Sequence, residues 1–134
     1  MYSIESTDFG LKLSFDGRIS LEEAERLRDE FLDVLRAQEK PFSLMIDARR
    51  TIPLEPDAAE AIVSLHSEWR RECSSRAVVL VHSPVVRGQA LQICFDSSRS
   101  DRDLVIDTSK DPQWETKARE WLTGNVATAR SSRS

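Results

Sequence analysis

Asp47, His82 and Asp107 each close one of three successive apolar runs. A polar residue at the carboxyl end of a buried strand stands where ligands and partners dock on parallel sheets. Glu55, Asp57 and Asp111 fall within a few residues of those ends, so the shared edge is expected to be acidic. Such an edge cradles phosphate poorly and suits a basic partner. The plainer role of the same acids is to complement the positive ends of helices, each contributing about 0.3 to 1 kcal/mol.

Other reactive side chains offer less. The only histidines are His66 and His82, and neither has a Cys, Asp or Glu four positions on to make a helical metal pair. Cys73 and Cys94 form no CxxC and have no second pair nearby, so both read as free thiols outside any disulfide or zinc framework. Ser83 adjoins His82, but neighbours on a strand point to opposite faces and no Gly-x-Ser-x-Gly elbow is present, which makes Ser83 a helix cap. The 4 glycines are scattered, so no phosphate-binding loop is present. No catalytic, cofactor-binding or metal-ligating residue is therefore expected, and the chain reads as a non-enzyme.

The elements that must position these residues follow from periodicity. Phe9, Leu11, Leu13 and Phe15 alternate with polar residues, as in a half-buried strand, and Tyr2 to Ser6 supplies a hairpin partner with the turn near Asp8 and Gly10. Ser20 with Glu23 makes a capping-box pattern ahead of Leu21, Ala24, Leu27, Phe31 and Leu35, which predicts a helix over about 21–37. After Pro41, the run Phe42 to Ile46 reads as a strand covered on both faces and ending in Asp47. Pro56 suits the first turn of a second helix, with Ala58, Ile62, Leu65 and Trp69 on one face, to about Cys73. Ala77 to Val81 is a buried strand, Ser83-Pro84 opens a third helix bearing Val86, Ala90, Leu91 and Cys94, and Leu104 to Ile106 is the last strand. Asp111-Pro112 opens a final helix that stops near Gly124.

The predicted fold class is α/β: a mixed, mostly parallel sheet of about five strands with four helices and an N-terminal hairpin. Residues 1–124 are expected to form a single domain and 125–134, small, polar and basic, a disordered tail. Trp69, Trp114 and Trp121 sit among aliphatic neighbours and are expected in the core, although Arg70 and Arg71 beside Trp69 would also suit a partner anchor. A net charge of −4 with both signs dispersed argues against nucleic acid. No apolar run suffices for membrane insertion, and MYSIESTDFG lacks a secretory pattern, so a cytoplasmic location is expected.

The hairpin, the Gly17-Arg18-Ile19-Ser20 lead into the first helix and FSLMIDAR before the second resemble the STAS domain family, most nearly its SpoIIAA-like branch. In anti-sigma factor antagonists of that family, a strand-end aspartate leads through a short loop to an Asp-Ser-Ser/Thr-Gly motif, whose serine a partner kinase phosphorylates. Laid on this sequence, the aspartate matches Asp47 and the motif falls on Glu55-Pro56-Asp57-Ala58, where both hydroxyls are missing. Asp96-Ser97-Ser98-Arg99 spells most of the motif, but at the end of the third helix rather than the start of the second. Asp57 would hold one fixed charge where relatives gain nearly two by phosphorylation, a partial mimicry.

The resemblance implies a regulatory or adaptor domain acting by protein–protein interaction through the second helix and its preceding loop. Asp47, Glu55, Asp57, His82 and Asp107 are the candidate contacts. An anti-sigma factor-like or kinase-like protein is the implied partner, and a homodimer is compatible with it. The alternative is a small-molecule or lipid-binding module, which requires an apolar cavity of about several hundred Å³.

Overall fold

The computed structural model describes residues 1–38, 42–73, 75–96 and 102–124. Its elements are β1 (Tyr2–Ser6), β2 (Gly10–Gly17), α1 (Leu21–Ala37), β3 (Ser43–Thr51), α2 (Pro56–Cys73), β4 (Ala77–Val81), α3 (Pro84–Asp96), β5 (Asp103–Asp107) and α4 (Trp114–Leu122). They build one five-stranded sheet in the order β1-β2-β3-β4-β5, with β1 antiparallel to β2 and each later pair parallel. This is the mixed α/β sheet with an N-terminal hairpin that the pattern predicted. The expected tail, 125–134, the Ser97-Ser98-Arg99 stretch and the Cys73 side chain lie outside the described residues.

Local chemistry accounts for the element ends. In the first turn, Gly10 takes φ +144°, and a Cβ there would lie 2.2 Å from the Ser43 carbonyl oxygen, so only glycine lets β2 start alongside β3. Ser20 Oγ accepts from the Glu23 amide at 3.1 Å. The Glu23 carboxylate turns instead to the Met1 amine at 3.1 Å, so the capping box is only half made. Ser83 Oγ accepts from the Val86 amide at 3.2 Å and caps α3. Asp111 bonds the Gln113 amide at 3.0 Å and Lys117 Nζ at 2.6 Å, which places it in the turn before α4 rather than at its cap.

Alternation divides the core into two layers. Leu11, Leu13, Phe15, Leu44, Ile46, Ala77, Val79 and Val81 pack against α1, α2 and α3. Val78, Leu80, Leu104 and Ile106 point the other way, against Ala118, Trp121 and Leu122 of α4. Trp121 is tied down by its indole N–H, which donates to the Ala77 carbonyl at 2.9 Å and the Arg102 carbonyl at 3.1 Å. Trp69 is fully buried on the inner face of α2, and Trp114 is half-buried.

One strand departs from expectation. β3 does not end at Asp47 but runs on to Thr51, because β2 bulges between Ser14 and Asp16 and resumes pairing as Asp16 with Arg50 and Gly17 with Thr51. Nor is β3 covered on both faces: Met45, Asp47 and Arg49 are only half-buried, because α4 packs mainly on β4 and β5.

Candidate functional site

The sequence placed five candidates along one edge; the structure separates them into three places. Glu55 and Asp57 stand together at the start of α2, after the loop that leaves β3. That loop is tied at several points. The Ile52 amide and Thr51 Oγ1 donate to the Gly17 carbonyl at 3.2 and 3.0 Å, and Glu55 Oε1 meets Arg18 Nη2 at 3.2 Å. From α3, the Gln89 side-chain amide clasps Leu54, accepting from its N–H and donating to its carbonyl, both at 2.7 Å. Asp57 Oδ1 accepts from the Ala58 amide at 2.7 Å, within the first turn. Held this way, the loop leaves Ile52 51% exposed, and Val85 in the first turn of α3 is 66% exposed. Val85 lies four positions before Gln89, on the same face of α3 as the clasp.

His82 and Asp107 form the second place, at the ends of β4 and β5. His82 Nδ1 lies 3.0 Å from Thr108 Oγ1, whose hydroxyl donates to the Val81 carbonyl at 3.0 Å. Asp107 Oδ1 accepts from the Ser109 hydroxyl at 2.6 Å and the Ser109 amide at 3.0 Å, which hold its carboxyl below the usual carboxylate range. These contacts organise the turn after β5.

Asp47 stands apart, on the opposite face of the sheet, in a groove of about 340 Å³ between β1–β3 and α4. Its two oxygens take Nε and Nη2 of Arg49 at 2.9 and 2.8 Å. Burial pushes its pKa up, but the Arg49 bonds outweigh burial and hold it below the ordinary value. The Arg49 guanidinium in turn lies 4.6 Å over the Trp114 ring. The residue matching the family's strand-end aspartate is thus engaged in a local ion pair on the face away from α2.

A cluster the sequence did not single out lies beneath α2 and α3. A pocket of about 50 Å³ there is lined by apolar residues including Phe15, Ile46, Ile62, Val79 and Val86, with His66 and Cys94 among them. This is well short of the several hundred Å³ set for a lipid or drug-sized ligand. His66 is 1% exposed and stacks on Trp69, with ring centroids 5.8 Å apart. The Asp103 carboxylate receives the Arg70 guanidinium and lies 3.3 Å from His66 Nε2. Burial, reinforced by the Asp103 charge, pushes the Cys94 thiol up to about 12. His66, Cys94 and Asp103 come from α2, α3 and β5, so no spacing in the sequence announces them.

The topology and hairpin define an α/β domain with a SpoIIAA-like fold. A solved structure of an uncharacterised protein of the DUF3478 family with a SpoIIAA-like fold, from Shewanella loihica PV-4, superposes with a TM-score of 0.62 at 16% identity, over 91% of this chain and 92% of that one. At that identity the likeness establishes the fold. No family model matches the sequence, and no curated protein does. No helix among the described residues is long and apolar enough to cross a membrane.

Proposed function

We propose that this chain is a non-enzymatic regulatory or adaptor domain that binds another protein in the cytoplasm through the β3–α2 loop and the start of α2. The observation that carries this reading is the tethered loop. Gly17, Arg18 and Gln89 fix it from both sides, while Ile52 in the loop, three positions before Glu55, and Val85 at the start of α3 remain uncovered. An apolar contact rimmed by charge, already ordered before binding, is the composition of a protein interface and lowers the entropic cost of association. The acids favour a partner with a basic rim, of the anti-sigma factor or kinase kind that the family resemblance suggests. With Pro56 and Asp57 in place of the two hydroxyl residues, binding there is not switched by phosphorylation of that turn.

Affinity capture from the native cytoplasm tests the reading, comparing wild type with Ile52→Asp, Glu55→Lys and Asp57→Ser. A specific partner retained by wild type and lost with Ile52→Asp or Glu55→Lys supports it. Identical partner sets for all four proteins contradict it. The small-ligand alternative rests on the apolar lining of the α2–α3 pocket. It requires the Gln89–Leu54 clasp to open, and a fluorescent fatty acid that binds wild type and binds Gln89→Ala more tightly would favour it.

A further inference from the structure

The pocket between α2 and α3 gathers polar atoms that the packing leaves without partners. Among the described residues, neither ring nitrogen of His66 has a hydrogen-bond partner, although Nε2 lies 3.3 Å from Asp103 Oδ1. Asp103 Oδ2 is likewise buried without a partner, the Arg70 guanidinium being bound to Oδ1. One ligand-type atom from each of His66, Cys94 and Asp103 lies within 4.8 Å of the others. A buried polar atom left unsatisfied costs about 1 to 3 kcal/mol. One atom from each of the three side chains, this close together and with unsatisfied atoms on two of them, favours a single group that engages all three residues.

We propose that His66, Cys94 and Asp103 hold a single thiophilic divalent cation, zinc by the character of its ligands, with a fourth position open toward the pocket between α2 and α3. Imidazole, thiolate and carboxylate form a borderline-soft set of the kind zinc takes, whereas magnesium and calcium select oxygen shells of six or more ligands. Tetrahedral zinc, with bonds of about 2.0 to 2.3 Å, sets its ligand atoms about 3.5 Å apart. The cluster reaches that spacing by drawing in about 1 Å, within the compass of side-chain rotation. Thiolate and carboxylate together cancel the two charges of the ion. Arg70 on Oδ1 orients the carboxylate from outside, the usual role of a hydrogen-bond donor behind a metal ligand.

Binding breaks the Cys94 S–H bond, forms the sulfur–metal bond and releases one proton to solvent. The pocket of about 50 Å³ is small for a lipid and adequate for a water or similar small ligand on the fourth position.

Cobalt titration tests the site. Chelator-stripped protein is titrated with Co²⁺, and one equivalent is expected to produce a thiolate-to-cobalt charge-transfer band that one equivalent of Zn²⁺ removes. The band is expected to be lost in Cys94→Ser and retained in Cys73→Ser, with circular dichroism reporting the fold of each. No band from folded wild-type protein overturns the site, and this result stands even where Cys94→Ser fails to fold. A band retained in Cys94→Ser and lost in Cys73→Ser overturns it equally.

Discussion

The two faces of the sheet treat their polar groups differently. On the α4 side, Asp47 closes on Arg49, Arg49 lies over Trp114, and Asp111 holds Lys117. On the α2–α3 side the packing is drier, yet His66 and Asp103 keep atoms without hydrogen-bond partners, and Ile52 and Val85 stay uncovered at the edge. Charges closed on their neighbours near water support architecture at small energetic gain. Unsatisfied atoms in a dry site and uncovered apolar side chains on a tethered loop are what a binding region leaves for its ligand or partner. The difference is the ground for the proposal that binding lies on the α2–α3 side and that the groove is architectural.

The largest contrast is expected in stability. Asp103→Ala removes the carboxylate from a buried Arg70 guanidinium and is expected to cost about 3 to 5 kcal/mol in urea unfolding. Asp47→Ala, whose Arg49 partner keeps both water and the Trp114 ring, is expected to cost about 1 kcal/mol or less, and less still at high salt. Equal losses for the two carboxylates would erase the distinction between the faces.

Acid pH gives a smaller effect on the groove side. The folded pKa of Asp47 lies below that of the unfolded chain, so on acidification the unfolded chain takes up the proton first. Its contribution is complete above about pH 5 and is lost as the pH falls below about 4, through the folded pKa. Unfolding free energies measured between neutral and acid pH should therefore fall less steeply for Asp47→Asn than for wild type. Matching slopes would mean that the Arg49 pair is not held in the folded state.

The smallest effect is kinetic. With its thiol raised to about 12, Cys94 of the metal-free protein is almost wholly protonated at neutral pH. Iodoacetamide should modify it slowly in the folded protein and quickly after denaturation, as peptide mass mapping would show. Rapid labelling of native Cys94 would place it in water and break the dry-pocket description.

Much of the fold is written locally. Helices α1 and α2 fall where 3.6-residue spacing, Ser20 and Pro56 put them, and α3 starts where Ser83-Pro84 opens it although Leu91 faces water, because caps and amphipathic stripes act within a few residues. The continuation of β3 past Asp47 was not legible: it depends on Asp16 and Gly17 across a bulge in another strand. The five candidate residues do not share one edge, because their grouping depended on that strand's length and on which face each side chain took. His66, Cys94 and Asp103 were invisible for a related reason, since three separate elements bring them together. The Gln89–Leu54 clasp, spanning 35 residues, has no local signal either.

Site-specific photo-crosslinking in the native cytoplasm tests most directly whether function lies on the α2–α3 side. A photoreactive side chain is placed at Ile52 in one protein and at Arg119, in the α4 groove, in another. Discrete protein adducts from Ile52 and none from Arg119 are the predicted result. Adducts from Arg119 with none from Ile52 would contradict it and move the interface to the groove.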